Sequence, residues 1–246
     1  MSRQNGAIRI FSYNWPVFVS TWGGALAALC AVRWLPAPGS WLLAFAALGA
    51  LGWSLVSLLV SSYIYDKSAL VSGRWVPALL GSQIRTWATV HAGLDAEVQL
   101  NTVMPGRCVA RLDIFDGRVM TSPSITRARG ITAVAQVAIS CSPTSLALED
   151  ESCDAVVIAF TAHEIRDRAV REAFFDELRR ALRPGGKALL VEHLRDFPNF
   201  LAFGPGFLHF VARAEWLRLA AHAKLAVASE TRITPWVMAL ALEKSL

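Results

Sequence analysis

The chain has 246 residues, 54% of them hydrophobic and 17% charged, and a formal net charge of +5. That length suits one α/β domain plus an appendage, and the mean hydropathy of +0.41 is high for a soluble protein. The positive charge alone would allow nucleic acid as a partner, but there is no basic run, aromatic-basic RNA motif or helix-turn-helix pattern, so none is expected. Cys30, Cys108, Cys141 and Cys153 form no Cys-x-x-Cys pair and no disulfide-like spacing, and read as reduced thiols.

The apolar excess lies in the first 65 residues, whose only basic residues are Arg3, Arg9 and Arg33. Two uncharged stretches there, Pro16 to Val32 and Trp41 to Tyr65, bracket the ~20 residues that cross a hydrocarbon core. A secretory signal is the competing reading of the first. No convincing cleavage site follows it, however, and a second apolar stretch comes directly after. The expectation is a membrane hairpin over residues 1–66, with the lipid bilayer as a partner. Trp15, Trp22, Trp34, Trp41, Tyr63 and Tyr65 lie mostly near its ends, as interfacial aromatics do.

Gly23, Ala27 and Ala31, and again Ala46, Ala50 and Ser54, repeat every four residues, a spacing that lets helices approach closely in lipid. Self-association through the hairpin stays open. Arg3 and Arg9 precede the first stretch and Lys67, Arg74 and Arg85 follow the second, whereas the connecting loop holds only Arg33. This bias places both termini on the cytoplasmic side, in a bacterial-type inner membrane with the following domain in the cytoplasm.

Residues 67–85 read as an amphipathic connector and residues 86–246 as a domain. Strand-like runs fall at Thr86–His91, Arg107–Asp113, Thr132–Ile139, Ala155–Phe160, Lys187–His193 and Trp236–Glu243. Helical patterns lie between them, best at Arg166–Leu182 and Ala214–Leu225; Val170, Phe174, Leu178 and Leu182 share one face of the former. Strands alternating with helices predict a doubly wound, mostly parallel α/β sheet.

Several local features carry a resemblance. Leu146, Ala147 and Leu148 precede an acidic turn, Glu149 to Ser152, and Asp154 opens the next strand. Leu182, Arg183, Pro184, Gly185 and Gly186 end a long helix, and Thr234 to Lys244 make a last strand. From about Thr86 onward this order resembles a class I S-adenosylmethionine-dependent methyltransferase domain of the type 11 kind. The resemblance implies a seven-stranded Rossmann-like sheet, S-adenosylmethionine as cofactor, and methyl transfer. It also places the ribose-binding acid at Asp113, in Leu112-Asp113-Ile114-Phe115-Asp116, and the Gly-rich donor loop at Val90 to Asp95.

That loop keeps only Gly93 of the family's glycines, with His91 in place of another of its residues. The acid expected after the third strand is replaced around Ser140, Cys141 and Ser142. His91, Gly93, Asp113, Ile114, Ser142 and Phe160 are the cofactor-binding candidates that the resemblance implies.

For the chemistry, His163 and His193 end neighbouring strands, beside Glu164 and Glu192 respectively. In open α/β sheets the carboxyl ends of the strands form the ligand crevice. A histidine whose pKa a carboxylate raises towards neutrality is a general-base candidate, so His163, His193 and Glu164 are the catalytic candidates. Equally open is a purely structural role for both histidines. A three-histidine metal site of His163, His193 and His209 lacks diagnostic spacing, and no metal is assigned.

Leu194 to Val211 crowds five phenylalanines into a segment broken by Pro198, Gly204, Pro205 and Gly206. It reads either as a flap admitting a hydrophobic small-molecule acceptor from the bilayer or as an apolar loop packed on the domain. The function expected is a membrane-anchored methyltransferase for a lipid-soluble acceptor. The alternatives are a catalytically degenerate scaffold or sensor, or another reaction, metal-dependent or not, in the same crevice.

Overall fold

A computed structural model describes residues 5–93, 100–131 and 138–245. Arg3, Leu94, Asp95 and most of the strand expected at Thr132–Ile139 lie outside them. Helices α1 (Gly6–Ala31) and α2 (Gly39–Ser62) form an antiparallel hairpin. Both are long and apolar enough to cross a membrane and are largely unburied by the rest of the protein, with Leu26 64% and Phe45 80% exposed.

Helix α1 kinks at Asn14 (φ −121°, ψ 18°), just before Pro16, whose nitrogen has no hydrogen to donate and whose ring crowds the preceding turn. The hairpin seam runs through buried Ala25 and Ala47. The expected small residues divide: Gly23, Ala27 and Ala46 face outward, a Cβ on Gly23 meeting nothing within 4 Å, whereas Ala31, Ala50 and Ser54 are half-buried. Trp22 Nε1 donates to Ser54 Oγ across the pair at 2.9 Å.

A π-helical turn, Tyr63–Lys67, leads into short helices α3 (Ala69–Ser72) and α4 (Val76–Leu80). Then come β1 (Thr86–His91), α5 (Leu100–Val103), β2 (Arg107–Asp113), α6 (Pro123–Ile131), β3 (Ile139–Ser140) and β4 (Cys153–Ala159). The chain continues through α7 (Arg168–Ala181), β5 (Leu182–His193), α8 (Phe197–Phe203), α9 (Arg213–His222), β6 (Leu225–Thr234) and β7 (Val237–Lys244).

The seven strands form one sheet in the order β3-β2-β1-β4-β5-β7-β6, parallel except for β7, which is antiparallel to both its neighbours. The doubly wound sheet is therefore present. Strand β6, which is not among the expected runs, is an edge exposed at most positions, whereas β4 and β7 are buried almost throughout.

Alternation along the central strands splits the core in two. Val156 and Ile158 point to one side, against Phe174, Phe175 and Leu178 of α7 and Trp216 and Leu219 of α9. Ala155, Val157 and Ala159 point to the other, against Leu70, Val76 and Leu80. Residues 67–85 thus supply part of the covering layer of the domain.

Several contacts fix the hairpin over the carboxyl ends of the parallel strands. Asp66 accepts from Gly6 N through both carboxylate oxygens (2.9 and 3.0 Å) and from Ser62 Oγ (2.9 Å), so one charge closes the first turn of α1 onto the exit of α2. Trp53 Nε1 donates to Leu201 O at 2.8 Å, and its ring meets Phe200 edge-on at 5.2 Å. Asp66→Ala is expected to destabilise the protein by about 1.5–3 kcal/mol, the range for hydrogen bonds to a charged group. The check is thermal unfolding in detergent, where an unchanged midpoint would show the clamp to be idle.

Candidate functional site

The carboxyl ends of β1, β2, β4 and β5 line one edge of the sheet, with His91 beside Asp113 in the register. Gly93 turns the chain after β1 at φ +86°, a conformation that side-chain-bearing residues rarely adopt. Its N–H reaches His91 Nδ1 at 3.2 Å, which folds the imidazole back onto its own loop.

Asp113 Oδ1 accepts from Phe115 N at 3.1 Å, and both carboxylate oxygens accept from Arg129, at 3.0 and 2.9 Å. The Arg129 guanidinium also lies over the Phe115 ring, 4.3 Å from its centre. Ile114 is fully buried in the core, so its side chain does not face this edge, contrary to expectation. Ser142 is exposed and hydrogen-bonded within its own turn, to Thr144 Oγ1 at 2.9 Å.

A cavity of about 320 Å³ lies at the ends of β4 and β5 and is roofed by the hairpin. Tyr13, Phe18, Ser57 and Ser61 form its roof, and Tyr65 its inner corner. The ends of β4 and β5 contribute Phe160, His163 and His193, and the segment after β5 contributes Phe203, His209 and Phe210. Phe160 was expected at the cofactor; the structure turns it into this cavity, at φ +51°, with its ring 5.1 Å from His193 and 5.7 Å from Tyr65. Leu194 to Val211 forms α8 and a 3-10 turn, Gly204–His209, that walls the cavity.

Adjacent residues of a strand point to opposite faces, so Glu192 and His193 serve different partners. Glu192, wholly buried, accepts from His163 Nδ1 at 2.6 Å, from Thr161 N at 3.1 Å and from His163 N at 3.3 Å. Glu164 Oε1 lies 3.5 Å from His163 Nε2 and 3.2 Å from His209 Nε2. Burial opposes a charge on His163, but Glu192 and Glu164 outweigh it and push its pKa up to about 10. The two carboxylates thus favour the charged form of His163, whose Nδ1 is engaged by Glu192.

Burial also opposes the charge on Glu164, yet His163 and His209 hold its carboxyl well below the usual carboxylate range. His209 is pulled down, chiefly by burial. His193 is pulled down to about 4, by burial first and with the His163 charge adding to it. A neutral His193 donates from Nδ1 to Trp236 O (2.9 Å), leaving Nε2 to accept the Tyr65 hydroxyl (2.9 Å).

Because His193 binds protons less readily folded than unfolded, its contribution to stability is complete above about 6.5. It is lost as pH falls from there towards about 4. His193→Gln should flatten that part of the melting-temperature profile; an unchanged slope would refute the assignment.

The three-histidine set does not assemble, since His193 faces Tyr65 instead. His163, Glu164 and His209 do place ligand-type atoms within 4.8 Å of one another. Cationic charge is already supplied there by the His163 imidazolium and by Arg166, whose Nη2 lies 2.7 Å from His209 Nε2 and 3.8 Å from Glu164 Oε2. His222 is exposed, 3.3 Å from Asp176. Tyr65, Arg129 and Arg166 are site residues that sequence reasoning passes over. Each lies outside the motifs, and only Glu192, next to His193, carries a sequence signal.

Residues 108–190 match the family model described as Methyltransferase domain. No curated protein matches the chain. Among solved structures, the chain is similar to a SAM-dependent methyltransferase from Aquifex aeolicus, at 16% identity and a TM-score of 0.53. That alignment covers 78% of this chain and 97% of the other. It is also similar to the 1,6-didemethyltoxoflavin-N1-methyltransferase of Burkholderia thailandensis, solved with bound 1,6-didemethyltoxoflavin and S-adenosylhomocysteine. There the identity is 16% and the TM-score 0.50, covering 86% of this chain and 92% of that one.

The cofactor that goes with this domain is S-adenosylmethionine. The strand ends suit it: a left-handed glycine leaves the wall after β1 without a side chain, and a buried carboxylate ends β2 beside it. The flexible side chain of Arg129 lies across that wall. The stretch that matches the methyltransferase domain model, residues 108–190, runs from β2 into β5, and the sheet around it has the fold of those S-adenosylmethionine-dependent methyltransferases.

Proposed function

We propose that the protein is a membrane-anchored methyltransferase for a hydrophobic, lipid-soluble acceptor carrying a hydroxyl, thiol or amine. The carrying observation is the composition of the cavity wall: the apolar hairpin and the ends of β4 and β5 enclose one space. In this reading the hairpin spans the bilayer with both termini cytoplasmic, following the basic residues at its ends. An acceptor in the bilayer then reaches the cavity without leaving the apolar phase, at a raised effective concentration.

When bound, the cofactor supplies an activated methyl group on a sulfonium leaving group. Asp113 and Gly93 are the residues that would hold it. His193 and Tyr65 deal with the acceptor's proton: the Tyr65 hydroxyl receives it while passing its own to His193 Nε2. A histidine with a pKa near 4 releases that proton readily after the turnover. Glu164, Glu192 and the His163 imidazolium keep the floor rigid, which serves positioning. One observation favours the non-enzymatic reading, the seat of Arg129 on Asp113, and donor binding separates the two.

Ser57→Trp fills the cavity from the hairpin side, away from the donor edge. It is expected to abolish transfer of labelled methyl groups into a membrane lipid extract while leaving S-adenosylhomocysteine binding intact. Undiminished transfer would show that the acceptor binds elsewhere.

A further inference from the structure

Arg129 lies between the two elements assigned to the donor. A Cβ on Gly93 would sit 2.5 Å from its Nη1 and 2.8 Å from its Cγ, so the arginine runs along the bare face of that turn. Its guanidinium then engages both oxygens of Asp113, the carboxylate that would accept the ribose hydroxyls. Ribose and guanidinium cannot occupy the same two oxygens together. The helix that bears Arg129, α6, is also tied to the hairpin: Arg127 Nε donates to Tyr13 O of α1 at 2.5 Å. Ser124 of the same helix lines the acceptor cavity.

We propose that Arg129 is a displaceable latch on the donor site, which sets donor affinity by competing for Asp113. Through α6 the latch responds to how the hairpin sits on the domain. This rests on the reading of Asp113 as the donor's ribose ligand. A site whose competent form is a minor fraction of the population has its affinity lowered by that fraction. Opening the latch for good therefore raises affinity without adding any contact to the ligand. Because α6 touches α1 and the cavity, a hairpin that has lost its grip on α6 shifts the balance the same way.

The test is calorimetry with S-adenosylhomocysteine on the full chain in detergent. Wild type is compared with Arg129→Ala, Arg129→Gln, Arg127→Ala, Asp113→Ala and the Asp113→Ala/Arg129→Ala double variant, each checked for cooperative melting. Arg129→Ala should bind about tenfold tighter or better, matching a latch closed in roughly nine molecules of ten. Arg127→Ala should gain less, and in the same direction. Asp113→Ala should lose binding, and the double variant should not recover it, because the gain passes through Asp113.

Should Arg129→Ala melt without cooperativity, Arg129→Gln gives the answer in its place, since it keeps the length of the side chain but not the ion pair. Wild-type binding that weakens or stays unchanged in the folded Arg129 variants would overturn the latch and leave the donor site standing. Absence of binding in every chain would overturn both.

Discussion

Glu192→Ala is expected to cost about 3–5 kcal/mol, the range for removing one partner of a buried ion pair. The wholly buried carboxylate meets His163 and two backbone N–H groups, and alanine would leave an imidazolium and those donors without a counterpart. Glu192→Gln keeps the volume and one acceptor but not the charge, so its cost should be smaller and the His163 pKa should fall. Denaturant unfolding in detergent reads the first, and a histidine titration followed by NMR reads the second. An Ala variant as stable as wild type would mean that His163 is neutral and the charge assignment wrong.

The second large effect falls on catalysis. Tyr65→Phe removes the hydroxyl between the cavity and His193 Nε2 while keeping the ring that packs on Phe160. General acid–base groups typically contribute about 10²–10⁴-fold, so the turnover rate should fall within that range. S-adenosylhomocysteine affinity should hold, because Tyr65 lines the cavity and not the donor edge. His193→Gln should lose a similar factor. If Tyr65→Phe keeps the full rate, the proton leaves by another route.

Much of the fold is legible in the sequence because burial writes itself into apolar runs. Central strands covered on both faces, such as β4 and β7, read as continuous hydrophobic segments. Edge strand β6 is exposed at most positions beyond its short Leu225–Ala228 run, and helix α6 buries only Ile125 and Ala128, so both are weakly marked.

Asp113 and the paired histidines are legible because they stand at strand ends, where the topology of the sheet places a crevice. Their chemistry is not. Whether His163 is a base or a fixed cation depends on Glu192, which is 29 residues away and one strand over. The hairpin was legible as two long apolar stretches, but its part in the cavity rests on Tyr13, Ser57 and Tyr65 folding over the sheet, a tertiary contact that no local pattern encodes. Arg129 was invisible for the same reason: only the folded chain brings α6 across β1 and β2.

The most direct test of the account is mass spectrometry of a membrane lipid extract incubated with S-adenosylmethionine and the detergent-solubilised protein. An organic-soluble species heavier by one methylene is expected. It should form with the wild type and fail to form with Ser57→Trp, although both chains bind S-adenosylhomocysteine. Methylation of water-soluble acceptors alone, or an equal yield from the blocked variant, would contradict it.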